Sequence, residues 1–353
     1  KYTKAYRKGF PNNDMTDINA GTQSTQTNEG YSRELAMMSY FGRVNYDYAG
    51  KYLFEANFRA DASSRFSPDN RWGYFPSLSA GWRMSEEGFM EGARDWMQSL
   101  KLRASWGQLG NQEALDDYYP WLITYAIGSS SGGNYPFDGN VNTGIMQKAQ
   151  KLSSISWEKS SNWGIGFDLS VLSCLDLTLD YYNRKTTGII MDVPVPGSFG
   201  LDPYKDNVGA MRNSGFEVTA SFHKQWNDWT FGATGNMAVN KNEILNLGGV
   251  NEMVDKDNAY FINRVGAAYK SFYGYVADGL FRSQEEADAY TEKYGNPFGN
   301  AFKAGDIKYK DVNGDGKLTS ADRDVAGSEQ PNVTFGLNLS ASWKNFDLSV
   351  FMQ

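Results

Sequence analysis

The segment at residues 311–323, DVNGDGKLTSADR, spaces oxygen-bearing side chains as the calcium loop of an EF-hand does. Hard oxygen ligands at alternate positions, with a glycine at the sixth, wrap a single cation of calcium size. The twelfth position is an aspartate where the standard loop has a glutamate, which reaches further. We predict a structural Ca2+ site here. Its ligands, at positions 1, 3, 5, 7, 9 and 12, are Asp311, Asn313, Asp315, Lys317 through its carbonyl oxygen, Thr319 through a water, and Asp322.

The flanks of this segment do not suit a pair of helices. The preceding GDIKY is typical of extended chain, and the following VAGSEQP contains a glycine and a proline. A calcium sensor opens two helices around its loop, so we expect a static loop instead. The alternative is an Asp-, Asn- and Gly-rich turn that binds no ion. A helix is predicted nearby, because Ser283 and Glu286 form a capping-box pattern and Gly295 follows at the far end.

Catalytic chemistry has little support in the sequence. One histidine, His223, and one cysteine, Cys174, are too few for a zinc site and leave a Ser-His-Asp triad dependent on His223 alone. No glycine-rich phosphate loop followed by Lys-Ser/Thr is present. The 34 basic and 41 acidic residues give a net charge of −7, which argues against a nucleic-acid partner. We predict that the chain is not an enzyme.

Aromatic residues in polar segments form a second set of candidates. Aromatics make up 15% of the chain, and their flat apolar faces can stack against sugar rings. The alternative is that these residues pack one loop against another. The candidate substrate-binding residues are Tyr118, Tyr119, Trp121, Tyr125, Tyr135, Phe199 and Tyr204.

The chain segments that position these residues are predicted to be β-strands, because apolar and polar residues alternate with a period of two. KYLFEANFR places Tyr52, Phe54 and Phe58 on one side and charged or amide side chains on the other. These strands run about eight to twelve residues, close to the roughly 9–11 that cross a bilayer. Many carry an aromatic residue near one end. No apolar run approaches the roughly 18 residues of a transmembrane helix. The alternation recurs in KLRASWG, NWGIGFDLSV, LDLTLDYY, GFEVTASF, WTFGATGNMAV and NVTFGLNLSASW.

Short and long connections alternate along the chain. Short turns at one end of the strands and long loops at the other are typical of an outer-membrane β-barrel, and long loops count against a compact soluble domain. We therefore predict an all-β fold of about eleven antiparallel strands, part of a transmembrane β-barrel. Alternation alone would also suit a soluble β-sandwich or propeller. The tight connections are 49–51, 172–174, 224–228 and 344–346, with a short helical turn near 85–97. The long polar ones are 9–35, 62–73, 108–157, 192–212 and 241–331.

Several blocks, in order over nearly the whole chain, resemble the SusC/RagA family of TonB-dependent outer-membrane transporters. The resemblance implies a 22-stranded barrel around an N-terminal plug. Residues 1–353 are then a partial barrel without the plug. The loop 241–331, which contains the calcium loop 311–322, is then extracellular. The blocks include SYFGRVNYDYAGKYLFEANFRADASSRFSPDNRWGYFPSLSAGWRMSEE at 39–87, LKLRASWGQLGNQ at 100–112 and GDIKYKDVNGDGKLTSADR at 305–323.

The resemblance also implies a function, which is active import of large nutrients, oligosaccharides or peptides, across the bacterial outer membrane. The implied partners are a SusD-like surface lipoprotein that acts as a lid, the membrane lipid, and TonB acting through the plug region that this chain lacks. The alternative comes from a different class of protein. It is a non-transporting surface protein, either a glycan-binding β-protein or an adhesin.

Overall fold

A computed structural model describes residues 1–115, 118–123, 125–128, 133–147, 154–193, 198, 204–255 and 257–353. Ten long strands form one antiparallel sheet, which we call the wall, and each pairs with its neighbours in sequence. The all-β prediction is confirmed, with ten strands in the wall where about eleven were expected. The strands are β1 Met37–Tyr48, β2 Tyr52–Ser63, β3 Trp72–Arg83, β4 Met97–Asn111, β5 Glu158–Val171, β6 Leu175–Val193, β7 Tyr204–Trp226, β8 Trp229–Leu247, β9 Val333–Trp343 and β10 Phe346–Met352.

The wall has one apolar and one polar face, because successive side chains of a strand point to opposite sides of a sheet. Tyr181 of β6 stands opposite Ile165 of β5 and Phe216 of β7. The preceding residue, Asp180, stands opposite Gly166. The alternation seen in the sequence is thus kept in register from strand to strand. We call the apolar side the outer face and the polar side the inner face.

The tight connections are hairpin turns, as the sequence predicted. Ala49 and Gly50 join β1 to β2 with φ angles of 55° and 67°, and Leu172 and Ser173 join β5 to β6 with φ angles of 57° and 53°. Two consecutive residues in the left-handed region are the mark of a type I′ turn, whose twist matches that of the paired strands. We call this end of the wall the turn end and the opposite end the loop end.

Several strands extend further at the loop end than the sequence indicated, among them β4, which runs to Asn111, and most of all β6, β7 and β8. β6 continues to Val193, β7 begins at Tyr204 and β8 continues to Leu247. Residues 204–212 and 241–247, which were predicted as loop, are therefore strand. These extensions carry polar residues on both faces and lack the apolar alternation of the central segments. Pairing between neighbours, such as Val193 with Tyr204, forms them instead.

The other connections contain short elements of their own. In the described part of the chain, no helix is both long enough and apolar enough to cross a membrane. The predicted helical turn between β3 and β4 is a pair of 3-10 helices, Met84–Glu86 and Gly88–Ala93. Further 3-10 helices are Ile18–Ala20, Gln23–Thr25 and Pro68–Asn70. The hairpins pair Tyr2–Tyr6 with Thr27–Tyr31, Tyr125–Ile127 with Ile145–Gln147, and Tyr135–Phe137 with Asn140–Asn142.

Residues 248–332, between β8 and β9, form a small folded unit that we call the insert. Its apolar core consists of Phe281, Ala287, Phe302 and Leu318. A four-stranded sheet, a hairpin, the helix α1 (Gln284–Tyr294) and a 3-10 helix surround it. The sheet strands are Glu252–Val254, Phe261–Arg264, Ser271–Tyr275 and Arg323–Ser328, the hairpin is Ala277–Leu280 with Ile307–Tyr309, and the 3-10 helix is Ser320–Asp322.

Helix α1 begins and ends where the sequence predicted. The Ser283 hydroxyl accepts a hydrogen bond from the amide of Glu286 at 3.3 Å. The Glu286 carboxylate accepts from the amide of Arg282 at 2.9 Å, one residue before the expected partner. Gly295 ends the helix with a φ of 78°, a conformation that glycine adopts at no steric cost.

A second apolar cluster lies at the loop end of the wall. Its buried residues come from β3, β6 and the connections that leave β2 and β4, so it ties these connections to the strands. The Trp157 indole donates to the carbonyl of Arg71 at 3.0 Å, which satisfies its one polar group. The cluster consists of Phe66, Phe75, Leu115, Ile155, Trp157 and Ile190.

Candidate functional site

The inner face of the wall carries a shared ion-pair network, which we call the Arg103 cluster. Arg103 Nε lies 2.8 Å from Asp168 Oδ2, and its Nη2 lies 3.0 Å from Asp168 Oδ1 and 3.0 Å from Asp180 Oδ2. One guanidinium therefore binds carboxylates on two strands, which its planar set of N–H donors allows. Alternation predicts the face of each residue, but the pairing depends on strand register, which sequence reasoning missed.

Gly166 leaves room for this network. It stands between Arg103 on β4 and Asp180 on β6 in the register of the three strands. A Cβ atom built on Gly166 would lie 2.1 Å from Asp180 Oδ1, which is far inside van der Waals contact. Any side chain at this position would displace Asp180 from the guanidinium.

The inner face becomes neutral further along the sheet. The inward positions of β8 from Thr230 to Asn240, and those of β9 from Thr334 to Ser342, hold only Ser, Thr, Asn, Gly and Ala. Hydroxyl and amide groups can both donate and accept hydrogen bonds, and they cost less to desolvate than charges. This part of the inner face therefore suits contact with polar, hydrated material.

The outer face is bounded by two rows of aromatic side chains. At the turn end, Trp229 and Trp343 stack with ring centroids 5.6 Å apart. At the loop end, the ring of Tyr181 lies 5.3 Å from that of Trp163 and 4.8 Å from that of Phe216. On β7, Trp226 stands opposite Trp229 in the turn-end row and lies ten residues from Phe216 in the loop-end row. At about 3.3 Å per residue and a tilt of about 40°, the two rows are roughly 25 Å apart. That is the height of the apolar band of an outer-membrane barrel.

Glu87, in the connection between β3 and β4, binds the aromatic row at the turn end. It accepts hydrogen bonds from the Tyr52 hydroxyl at 2.7 Å, from Trp82 Nε1 at 3.1 Å and from Lys51 Nζ at 3.1 Å. These donors, the Tyr52 hydroxyl foremost, hold the pKa of Glu87 below its ordinary value. Sequence reasoning missed this contact, because Lys51 and Tyr52 lie 36 and 35 residues away along the chain.

The predicted calcium loop folds around its own acidic side chains. Asp311 accepts hydrogen bonds from the amides of Gly314 and Gly316, both at 2.8 Å. Asp315 accepts from the amide of Lys317, also at 2.8 Å. Such bonds from backbone N–H to Asp side chains are what an Asp/Asn/Gly-rich turn predicts. The carboxylate oxygens keep lone pairs that a cation could use.

Asp322 closes the loop from the far end. Its side chain is fully buried and accepts from the amides of Thr319 at 2.7 Å and Val312 at 3.0 Å, and from that of Asn313 at 3.4 Å. Burial raises the pKa of Asp322, but the three amide donors outweigh it and hold the pKa below its ordinary value. Thr319 in turn caps the 3-10 helix that contains Asp322.

These contacts explain how the loop holds its shape mainly through backbone donors, to which Asn313 Nδ2 adds a bond to Asp315 Oδ2 at 3.2 Å. In the described part of the chain, no three His, Cys, Asp or Glu side chains converge as metal ligands. The oxygen set of the predicted site is mixed, since it includes an amide, a hydroxyl and a carbonyl beside the carboxylates. Calcium binding at this loop therefore stays a prediction.

Three of the candidate substrate-binding aromatics contact other loops. The Tyr118 ring lies beside the guanidinium of Arg65, 5.3 Å from ring centroid to Cζ. The Tyr119 hydroxyl donates to the carbonyl of Glu34 at 2.9 Å, and Trp121 Nε1 donates to the carbonyl of Ser64 at 3.4 Å. These contacts support loop packing for the three residues.

The remaining candidates differ in exposure. Tyr125 and Tyr135 lie on the two hairpins between β4 and β5 and are 60% and 54% exposed. Tyr204 begins β7 and is half-buried. Phe199 lies outside the described residues. Tyr125 and Tyr135 therefore have the most ring surface free for a ligand, and substrate contact by any of the set stays a prediction.

Comparison with known proteins supports this description. The family described as TonB dependent receptor-like, beta-barrel, matches residues 2–353. TonB-dependent receptor P26 of Formosa agariphila is 33% identical over 353 residues, which cover 97% of this chain and 34% of the relative. TonB-dependent receptor SusC of Bacteroides thetaiotaomicron is 32% identical over 332 residues, which cover 90% of this chain and 31% of the relative.

A solved structure gives the same result. The structure of the RagAB peptide transporter superposes with a TM-score of 0.75 at 25% identity, over 97% of this chain and 36% of the other. The chain thus spans about a third of the length of the relatives that it matches.

The two-faced sheet, its aromatic rows and its asymmetric connections define the wall of a transmembrane β-barrel. The chain belongs to the TonB-dependent receptor β-barrel family, and the predicted resemblance to SusC and RagA is confirmed. This family resides in the outer membrane, as expected from the sequence. Its members are transporters rather than enzymes, which agrees with the prediction that no catalysis takes place here.

Proposed function

We propose that this chain forms the wall of an active importer of large nutrients, oligosaccharides or peptides, in the bacterial outer membrane. The observation that carries the proposal is the family match over residues 2–353, on a sheet whose apolar outer face and polar inner face suit lipid and a hydrated interior. The neutral inner positions of β8 and β9 suit polar cargo or a polar plug surface moving past them.

We propose TonB, acting through a plug region beyond this chain, as the energy source, and a SusD-like lipoprotein as the lid. Two of the similar solved structures are described as the RagAB peptide importer in its "closed-closed" and "open-open" states, with TM-scores of 0.75 and 0.74. We expect the same opening and closing in the assembly that contains this wall. The extended loop ends of β6, β7 and β8 are the part of the wall that stands nearest to such a lid.

The substrate class rests on two lines of support. The solved RagAB neighbours handle peptides by description, whereas exposed rings such as those of Tyr125 and Tyr135 suit stacking on sugars as well as on peptide side chains. Either cargo is a flexible polar polymer, which agrees with an inner face of hydroxyl, amide and charged groups.

The experiment that tests the function is uptake by the full-length protein. Cells that depend on this transporter are given labelled oligosaccharides or peptides, with and without functional TonB. Import is expected for one class only, and it is expected to stop without TonB. Surface binding that persists without TonB and is never followed by uptake would favour the alternative of a glycan-binding protein or adhesin.

A substitution pair tests the loop aromatics. Tyr125→Ala with Tyr135→Ala is expected to raise the cargo concentration needed for half-maximal uptake by roughly 30-fold, given about 1 kcal/mol for each stacked ring. Trp121→Ala is the comparison, since its indole already packs against the Ser64 carbonyl. Equal uptake by the double variant and the wild type would show that these two rings do not bind cargo.

A further inference from the structure

Four basic residues on adjacent strands share the outer face just beyond the aromatic row at the loop end. Residues an even number of positions apart on a strand lie on the same side of the sheet. Four positions separate Lys159 from Trp163, Lys185 from Tyr181, and Arg212 from Phe216. Lys241 is two positions from Val239. We call these residues the basic band: Lys159 on β5, Lys185 on β6, Arg212 on β7 and Lys241 on β8.

The carboxylates of the wall neutralise only part of the positive charge of the basic band. Lys185 stands directly opposite Arg212, a pairing of like charges that is unfavourable unless a counter-charge is present. Glu243 provides part of it, at 2.7 Å from Arg212 and 3.9 Å from Lys241. Among the described residues, Lys159 and Lys185 form no ion pair, and both are exposed. One carboxylate therefore faces four cations.

The height of the band matches the lipid headgroups. Two to four residues beyond the aromatic row correspond to roughly 5–10 Å along the membrane normal, given about 3.3 Å per residue and a tilt of about 40°. That distance places the four side chains just outside the apolar band, where anionic headgroups attract Lys and Arg. Snorkelling side chains lie at this level and reach away from the hydrocarbon.

The band is a patch rather than a ring around the wall. On β1 and β3 the outward positions at the loop end hold uncharged residues, Met38, Tyr40, Trp72 and Tyr74. On β9 the corresponding position is Val333. A general preference for cations at the interface would place them on these strands too. Their confinement to four adjacent strands indicates a single bound molecule.

We propose that the basic band binds the phosphate groups of a phosphorylated glycolipid of the outer leaflet. Its acyl chains would lie along the apolar outer face of β5–β7, below Trp163, Tyr181 and Phe216. The proposal rests on the proposed function, because it requires the long connections to face the cell exterior. It adds a lipid ligand on the outside of the wall, away from any cargo path.

The test uses the full-length transporter in detergent and native mass spectrometry with purified bisphosphorylated lipid A. Lys159→Gln with Lys185→Gln removes the two lysines that lack ion pairs. At about a fivefold effect for each charge, the double variant is expected to bind the lipid roughly 25-fold more weakly. Lys224→Gln is the matched control, because Lys224 lies on the outer face of β7 at the turn end, and its binding is expected to equal that of the wild type.

Two further ligands identify the source of the phosphate. Dephosphorylated lipid A is expected to bind as weakly to the wild type as bisphosphorylated lipid A does to the double variant. Inorganic phosphate at the same concentration is expected to leave no bound species. Equal binding of either lipid to all three proteins, or retention of inorganic phosphate as tight as that of the lipid, would overturn the proposal.

Two controls keep the outcome clear. The unboiled proteins are compared on a gel, where folded barrels migrate apart from unfolded chain, so that loss of lipid is not confused with loss of fold. Cargo uptake by the double variant is expected to equal that of the wild type. Failure of wild-type uptake would count against the proposed function, whereas failure of lipid binding counts against the basic band alone.

Discussion

At the scale of single residues, the Arg103 cluster shows how the wall places charge at its inner face. Arg103, Asp168 and Asp180 are each about a third exposed, so water weakens their attraction but does not replace it. The single guanidinium binds two carboxylates that would otherwise repel each other across β5 and β6. Its loss therefore affects three strands at once.

Arg103→Met is expected to lower the free energy of unfolding by about 2 kcal/mol, because two partly buried carboxylates lose their charged donor. Urea unfolding of the full-length protein in detergent micelles measures this. Arg184→Met is the matched control on the same face, since the guanidinium of Arg184 binds the Asn162 amide oxygen rather than a carboxylate. An equal loss of unfolding free energy in both variants would contradict a specific role for the Arg103 cluster.

Gly166→Ala is expected to disturb the same network from the opposite side, through the Cβ atom that would lie 2.1 Å from Asp180 Oδ1. Because the clash and the lost ion pair act on one contact, the effects of Arg103→Met and Gly166→Ala should not add. If the double variant loses as much unfolding free energy as the two single variants together, the two substitutions act independently.

We expect the calcium loop to bind Ca2+ and to lose it on Asp311→Asn. The substitution removes a charged ligand and replaces one acceptor oxygen with an amide donor, so the affinity should fall at least tenfold. Isothermal titration of the full-length protein with Ca2+ measures it. Asp257→Asn, in the insert but outside the loop, should leave binding unchanged. Absence of heat with the wild type at millimolar Ca2+ would exclude the site.

Asp322 is expected to make the insert sensitive to acid. Its pKa in the folded state lies below the ordinary value of 3.8, so its contribution to stability is complete above pH 3.8 and is lost as the pH falls through the folded pKa. Hydrogen exchange at the Val312 and Thr319 amides should therefore accelerate in strong acid. In Asp322→Asn this pH dependence should be reduced, and an unchanged profile would assign it to other groups.

At the scale of strands and turns, the face of the sheet to which a side chain points decides how much a substitution destabilises the wall. Ala220 and Thr219 are neighbours on β7, yet Ala220 points to the outer face and Thr219 to the inner face. Ala220→Arg is expected to cost about 2–4 kcal/mol, since the position lies near the middle of the apolar band. Thr219→Arg should cost less than about 1 kcal/mol, because its side chain meets water or polar groups. Comparing the two variants by unfolding in lipid vesicles tests the assignment of faces.

Much of the structure of the strands and turns could be predicted from the sequence. The period of two gives the faces of Phe54, Trp163 and Phe216, and the tight segments around Ala49 and Leu172 give the turns. These features are local, so each depends on a few neighbouring residues. The helix cap at Ser283 is local for the same reason.

What could not be predicted depends on contacts distant in the chain. Arg103 meets Asp180 only through the register of three strands, and Glu87 meets Tyr52 only because β2 and β3 are paired. The loop-end extension of β7 at residues 204–212 has no apolar alternation and forms by pairing with β6. The calcium spacing is visible in the sequence, whereas occupancy depends on the ion and not on the chain alone.

At the scale of the whole molecule, the wall is open at both sides. β1 and β10 each pair with one strand of the wall, and among the described residues no other strand covers their outer edges. Unpaired backbone groups in lipid cost several kcal/mol each, so a membrane sheet has to close into a barrel. The remaining strands of the family's barrel are needed to complete it.

Residues 37–352 produced alone are therefore expected to aggregate and not to insert into vesicles. The full-length protein, treated in the same way, is expected to migrate as a folded band on an unboiled gel. A folded, membrane-inserted band from the ten-stranded segment would mean that the wall closes by itself or by pairing with a second copy.

The insert begins and ends on neighbouring, paired strands. The amide of Asn240 on β8 donates to the carbonyl of Asn332, just before β9, at 2.8 Å, while the insert keeps its own core around Phe281. A segment whose two ends are held together by the wall can be exchanged as a cassette without changing the spacing of the strands below. Evolution can therefore exchange the insert by recombination, while the membrane-spanning wall stays constant.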